Sequence, residues 1–365
     1  MTTNSHDDIS MPVRLPAEWE EHECVLLAWP HEHTDWAYML DEARECIASI
    51  VRAVSAHECV LLVGPASQCR ESVMACGFDP SRVRFVDLPT NDTWARDFGP
   101  ITVETGSGLQ AVDFKFNAWG MKFAADKDNL INSRLAGQGV FKAGYVNRLG
   151  FVLEGGSIES DGCGTLLTTA ECLLSPNRNG EMTEGDIRAY LADTLGFTHQ
   201  LWLHHGALAG DDTDSHIDTL ARLAPHDTII YIGSVDSHGL QVDALAAMRD
   251  ELSTLRTREG HPFNLVELPL PDPVFDEDGM QLPATYANYL VSHRAVYLPV
   301  YSQPANDLLA EQTLKIVYPD HDIVPIDCRA LIRQHGSLHC VTMQLPLGAV
   351  EGIENGRWAE KYRNL

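Results

Sequence analysis

HIDTLARLAPHDTIIYIG, residues 216–233, is the stretch on which the fold reading turns. Two strand-like apolar runs flank a Pro225-His226-Asp227 turn, which is the pattern of a hairpin. Working outward, the same pattern occurs at ITVETGSGLQAVDFKF (101–116), turning at Gly106-Ser107-Gly108, and at LEGGSIESDGCGTLLTT (153–169), turning at Asp161-Gly162-Cys163-Gly164. It occurs again at YANYLVSHRAVYLPVY (286–301), around Ser292-His293-Arg294. Helical patterns near 126–136, 183–195, 241–256 and 304–316 separate these hairpins. The N-terminal part alternates in the same way: a strand over Glu23–Trp29, a helix over 36–55, a strand over Cys59–Val63, a helix near 67–76 and a strand near 83–88. A last strand is expected from Leu338 to Leu345.

Repetition at intervals of about 50–70 residues predicts an α/β fold of repeated strand, hairpin and helix units. Four hairpins, with the N- and C-terminal strands closing a fifth unit, predict a ring of five. No Pro/Ser-rich linker divides the chain, so one domain is expected over residues 11–365, after a flexible segment at 1–10.

A polar residue stands before or at the start of most hairpins: Asp97, Glu154, His216 with Asp218, and, at the start of the last strand, Cys340. In a closed ring, equivalent ends of repeated units converge, so these residues are expected to share one site. Asp211, Asp212, Asp214, His216 and Asp218 lie within eight positions, and residues two apart on an extended chain face the same side. A thiolate is the nucleophilic form of cysteine, and histidine can serve as its base and later as an acid. Three carboxylates beside a thiol would work against an acyl hydrolase, because they raise its pKa. They suit a cationic substrate, since a guanidinium offers a planar fork of donors that carboxylates can grip.

The charge balance agrees: 52 acidic against 26 basic residues give −26, which disfavours nucleic acid or an anionic membrane as partner. Nine cysteines without a CxxC pair point to a reducing compartment. No secretory leader pattern and no run of about 18 apolar residues is present, and a cytoplasmic protein is expected.

The runs MPVRLPAEWEEHE (11–23), NDTWARDFGP (91–100), FNAWG (116–120), LEGGSIE (153–159), GTLLTT (164–169), GDDTDSHIDT (210–219) and GSLHC (336–340) resemble those of the agmatine deiminase family. That family includes bacterial peptidylarginine deiminase-like proteins and lies within the guanidine-modifying pentein superfamily. The resemblance implies a five-bladed pseudo-symmetric α/β propeller, and a hydrolase that converts a guanidine to a ureido product and ammonia without metal or organic cofactor. It implies Cys340 as nucleophile, His216 as acid and base, and Asp97, Asp218 and Glu154 as contacts to the guanidinium. Ser215 and Ser337 stand where glycine and asparagine are common in the family.

Between Asp97 and Arg134 the chain carries Lys115, Lys122 and Lys127 but no arginine to meet a substrate carboxylate, which leans toward agmatine over arginine or peptidylarginine. Asp92, Asp211 or Asp212 could receive the distal amine. Trp94 and Trp119 could wall the aliphatic chain or simply pack in the core. His31-Glu32-His33 and His204-His205 lack metal-site spacing and read as surface or loop histidines. The competing classes are a Cys-His-Asp amidase, which leaves Glu154 and Asp97 unexplained, and a non-catalytic polyamine binder, which has no need of His216 and Cys340. Homo-oligomerisation is left open.

Overall fold

The computed structural model describes residues 12–66, 69–70, 73, 77–233 and 241–363. The expected flexible segment at 1–10 lies outside the described residues, as does part of the helix expected near 67–76.

The chain is a mixed α/β protein. Among the described residues, five sheets of three or four strands share one wiring: an antiparallel pair, whose second strand pairs in parallel with a further strand. Ile101–Thr105 and Gly108–Lys115 are antiparallel, and the latter runs parallel to Gly144–Val152. Ile158–Ser160, Thr165–Thr169 and His199–Leu203 repeat the arrangement, as do Ala221–Ala224, Thr228–Ile232 and Asn264–Leu268. Leu290–Val291, Ala295–Val300 and Asp322–Asp327 form the fourth sheet. In the fifth, Met343–Pro346 pairs antiparallel with His22–Ala28, which runs parallel to Cys59–Gly64, itself parallel to Val83–Asp87. The two ends of the fold therefore share a sheet.

Parallel pairing requires a crossover, and helices supply it: Leu40–Ser55, Ile131–Gly137, Glu184–Leu195, Val242–Thr254 and Pro304–Val317. The first buries Ala43, Ile47, Ile50, Val51 and Val54, a helical period of apolar residues, against the all-buried strand Cys59–Gly64. Glu184–Leu195 starts with a reciprocal Thr183/Asp186 capping box and stops at Gly196, whose φ is 79°. The turn at 225–227 is made by His226 and Asp227, both at positive φ.

Two expected boundaries shift. The helix near 126–136 is helical only from Ile131, because the Asp128 carboxylate accepts the backbone N–H groups of Asn91 and Asp92 and holds the chain in a tight 3₁₀ turn. The last strand begins at Met343 instead of Leu338. The backbone N–H groups of His339 and Cys340 are drawn to the Asn288 carboxamide and so cannot join a ladder. No described helix is long and apolar enough to cross a membrane.

Candidate active site

A short turn precedes the first strand of each of the five sheets, and the turns carry the chemistry. Asp97 lies in the single helical turn Ala95–Phe98, and Glu154 caps the 3₁₀ turn Gly155–Ser157. His216 caps Ile217–Thr219, which contains Asp218, while Cys340 lies three residues ahead of Met343. The fourth sheet contributes Asn288, two residues ahead of Leu290. Its carboxamide oxygen accepts from the Cys340 backbone N–H and thiol, both at 3.3 Å. Asn288 was legible from its place in the fourth hairpin, but a neutral amide does not announce chemistry as a carboxylate does.

Asp97, His216 and Asp218 converge on Gly156. A Cβ there would lie 2.6 Å from His216 Nδ1, 2.9 Å from Asp97 Oδ1 and 3.2 Å from Asp218 Oδ2, so no side chain fits. The Gly156 N–H donates to Asp97 Oδ1 at 3.1 Å, the Trp119 indole donates to Oδ2 at 3.0 Å, and His216 Nδ1 is 3.7 Å from Oδ1. Trp119 reaches Asp97 from a run in which Ala118, Trp119, Gly120 and Met121 all have positive φ. Three of these carry side chains, and such backbone costs on the order of 1–2 kcal/mol per residue. Asp218 Oδ2 accepts from His339 Nδ1 at 2.7 Å, while its Oδ1 and His216 Nε2 have no partner among the described residues.

Electrostatics set the resting protonation. Burial, then Asp218 and Glu154, push the Asp97 carboxyl well above its usual range. Burial, then Asp218 and Asp97, do the same to the Cys340 thiol. Burial lowers His216 to about 3, overriding the attraction of Asp218. Burial also opposes ionisation of Asp218, but its hydrogen bond to His339 and the nearby positive charge hold it below the usual range. At neutral pH the free site thus holds a protonated thiol, a neutral imidazole and an ionised Asp218.

A cavity of about 200 Å³ opens on Cys340 and Asp97. Trp94, Phe116 and Trp119 wall it, and Asp35, Asp92, Asp128 and Asp212 also line it, but none of its described lining residues is arginine or lysine. Trp94 packs so closely on Gly336 that a Cβ there would overlap the indole ring. Burial and Asp128 push Asp92 up to about 7, and burial raises Asp128 to about 7.

Of the expected site residues, Asp211, Glu154, His216 and Asp218 are not among those that line the cavity, the last two packing just behind it. Asp211 does not line the cavity; its carboxylate accepts from Thr213 Oγ1 at 2.6 Å and Ser215 N at 2.8 Å, tying its own loop. Glu154 is fully buried behind the cavity, with both oxygens within 3.0 Å of Arg178 Nε. It approaches the His216 ring to within 4.8 Å, so its geometry is that of a neighbour to the imidazole. Arg178 also bonds Asp214 and the Thr213 carbonyl, bracing the loop that presents His216. In that loop Asp214 and Ser215 stand at φ 64° and 63°, and Ser215 Oγ donates to Glu171 at 2.9 Å. Ser337 Oγ pairs with the Tyr301 hydroxyl at 2.9 Å.

Comparison with known proteins gives the chain a family. An agmatine deiminase of Stutzerimonas stutzeri is 30% identical over 353 residues, covering 91% of this chain and 95% of that protein. A cysteine-to-serine variant of the C. jejuni agmatine deiminase, solved with substrate bound, superimposes with a TM-score of 0.86 at 36% identity, over 95% of this chain and all of that one. The Enterococcus faecalis agmatine deiminase gives 0.82 at 26% identity, over 92% and 96% of the two chains. Residues 14–346 match the family described as Porphyromonas-type peptidyl-arginine deiminase, and the chain belongs to that family.

Proposed function

We propose that this protein is an agmatine deiminase, a hydrolase that converts agmatine and water to N-carbamoylputrescine and ammonia. The observation that carries the reading is the cavity itself: five aspartates, Asp35, Asp92, Asp97, Asp128 and Asp212, line it together with Cys340, and none of its described lining residues is arginine or lysine. A substrate cationic at both ends matches that lining. One ending in a carboxylate would meet aspartates there.

In this reading the guanidinium lies between Asp97 and the free oxygen of Asp218, with its carbon over Cys340. The two carboxylates that hold the thiol protonated are then neutralised by the substrate, so binding itself favours the thiolate. The thiol proton passes to neutral His216 and sulfur adds to the guanidinium carbon. His216 returns the proton to the departing nitrogen, which leaves as ammonia, and an S-alkylthiouronium remains on Cys340. Water, deprotonated by His216, adds to the same carbon. The C–S bond then breaks, giving the ureido product and the thiol. Glu154, held by Arg178, orients His216, and Asn288 orients Cys340. Asp92 and Asp128 receive the distal ammonium, and Trp94 and Trp119 enclose the methylene chain.

The same reading makes the five sheets blades of a closed pentein-type propeller and one catalytic domain over residues 11–365, supported by their shared wiring and by the sheet that joins the first strand to the last. Nine cysteines and no CxxC pair support the reducing cytoplasm as its compartment.

Ammonia release from agmatine, arginine and a peptide ending in arginine, with Cys340→Ser as control, tests the proposal. Agmatine is expected to be the preferred substrate and the serine variant inactive. Release unchanged in the variant, or from none of the three, sinks the deiminase reading; preference for either arginine substrate overturns the substrate.

A further inference from the structure

Behind the cavity, Asp218 is the end of a buried chain of polar groups. Its Oδ2 accepts from His339 Nδ1 at 2.7 Å, and His339 Nε2 lies 2.8 and 3.0 Å from the two oxygens of Glu18 and 3.1 Å from Arg222 Nη2. Glu18 is itself fixed by three donors: Arg96 Nη1 at 2.8 Å, Arg222 Nη2 at 2.6 Å and Gln344 Nε2 at 3.1 Å. Arg222 is anchored by Glu159 and by the carbonyls of Ala287 and Tyr289 at 3.0 and 2.6 Å. His339 is fully buried and adjacent in sequence to the proposed nucleophile, yet its ring points away from the cavity to these partners.

We propose that His339, held from behind by Glu18, is a positioning residue that locks one oxygen of Asp218 and thereby aims the other at the substrate guanidinium. The inference rests on the deiminase reading. The tautomer follows from the partners. As an imidazolium, His339 donates from Nδ1 to Asp218 and from Nε2 to Glu18. As a neutral ring, Nε2 accepts from Arg222 and Nδ1 still carries the hydrogen. Both forms give Asp218 a donor on Oδ2. A carboxylate with one oxygen pinned can rotate only by breaking that bond, so Oδ1 is presented in one direction before substrate arrives. Asp218 is also faced by His216 on its own turn, by Asp97 and Cys340 on the cavity side, and by Arg222 and Glu159 behind it. Asp97 and Glu159 oppose its ionisation, while His339, His216 and Arg222 support it.

Two amide substitutions separate the ends of the ring. In His339→Asn the side-chain NH₂ reaches the place of Nδ1 and keeps a donor for Asp218. In His339→Gln it reaches the place of Nε2, toward Glu18, and Asp218 loses its partner. With the full-length enzyme and agmatine, His339→Asn is expected within about 10-fold of wild-type kcat/KM with the acid limb of its pH profile unmoved. His339→Gln is expected to fall about 100-fold, chiefly through KM, with the acid limb moved to higher pH because Asp218 has lost the donor that favours its ionised form. Thermal melts of each variant show whether it is folded. If His339→Gln does not fold, His339→Asn decides alone. Equal activity in Asn and Gln, a His339→Asn variant as inactive as Cys340→Ser, or a fall confined to kcat with the acid limb fixed, overturns the positioning role. Wild type that releases no ammonia from agmatine overturns the deiminase reading instead, and this inference with it.

Discussion

The cavity and the polar layer behind it are built from the same residue types, a few ångströms apart, and differ in how their carboxylates are matched. Behind the cavity, Glu18, Glu159 and Glu154 are each paired with an arginine: Arg96 and Arg222, Arg222, and Arg178. At the cavity, Asp97 is met by an indole, a backbone N–H and, at 3.7 Å, His216 Nδ1, and Asp218, packed just behind the lining, keeps one oxygen without a partner among the described residues. The chain supplies guanidinium groups where carboxylates hold the fold and withholds them where, in the proposed function, a guanidinium arrives as substrate. Buried ion pairs cost much to break from one side. A half-pair costs stability until its partner binds, and that energy is returned as affinity and orientation.

The sharpest way to break this comparison is to damage one carboxylate in each region. Asp218→Asn keeps an acceptor for His339 and removes a charge from the substrate grip. Its kcat/KM for agmatine, measured by ammonia release, is expected to fall about 10²- to 10³-fold, as for truncation of one partner in a buried charge pair. Arg222→Met acts on the matched side, and should cost about 3–5 kcal/mol of stability by leaving Glu159 without its cation and Glu18 with Arg96 alone, read as a lowered urea midpoint. If Asp218→Asn destabilises the fold as much as Arg222→Met, the two regions do not divide the work.

A third test uses pH. Asp92 and Asp128 are both raised to about 7, so near pH 5 they are largely protonated and above pH 7 largely charged. A bound ammonium favours the charged form, so KM for agmatine should fall as pH rises from about 5 to 7, by up to about 10-fold per unit over that range. In Asp92→Asn that fall should flatten while kcat changes by less than about 2-fold. Folding without ligand has the opposite sign. These carboxyls bind protons more tightly folded than unfolded, so their contribution to stability is lost between about pH 4 and 7. His216, lowered to about 3, works the other way and gains with pH over roughly 3 to 6.5. A melting temperature that rises with pH on adding agmatine, relative to the free protein, marks the carboxylate part.

The smallest expected effect lies on the boundary, in the loop that links matched Asp214 to buried His216. Ser215→Gly and Ser215→Ala both lose the hydroxyl bond to Glu171, but only glycine is relaxed at φ 63°. The glycine variant should therefore be the more stable of the two by about 1 kcal/mol in urea denaturation. Equal stability would show that the backbone there is not strained.

Much of this was legible in the sequence because the hairpins repeat. Strand patterns and turn residues located Asp97, His216 and Asp218 ahead of or at the start of their hairpins and Cys340 at the start of the last strand, which the structure moves to Met343, and a repeat that brings equivalent ends together needs no knowledge of individual contacts. What escaped is what depends on distant pairing. Glu18 and His339 are 321 residues apart, Arg222 and His339 are 117 apart, and no local pattern marks such partners. Glu154 carried the right motif, but only the structure shows Arg178 taking its carboxylate, and Asp211 looked like a ligand until its oxygens were seen spent on Thr213 and Ser215. Charge count alone could not separate Asp211 from Asp212, its neighbour, which does line the cavity.

The sheet that joins Met343–Pro346 to His22–Ala28 sets the order in which competence is acquired during synthesis. Chains emerge N-terminus first, and the carboxylates and the histidine lie on segments made long before Cys340. The thiol arrives three residues ahead of the strand that zips the last unit onto the first. A nascent or truncated chain can thus display its acidic groups but cannot form the proposed covalent intermediate. The Cys340 sulfur meets its partners only when the final strand docks, which in the proposed function makes that docking the step that arms the protein.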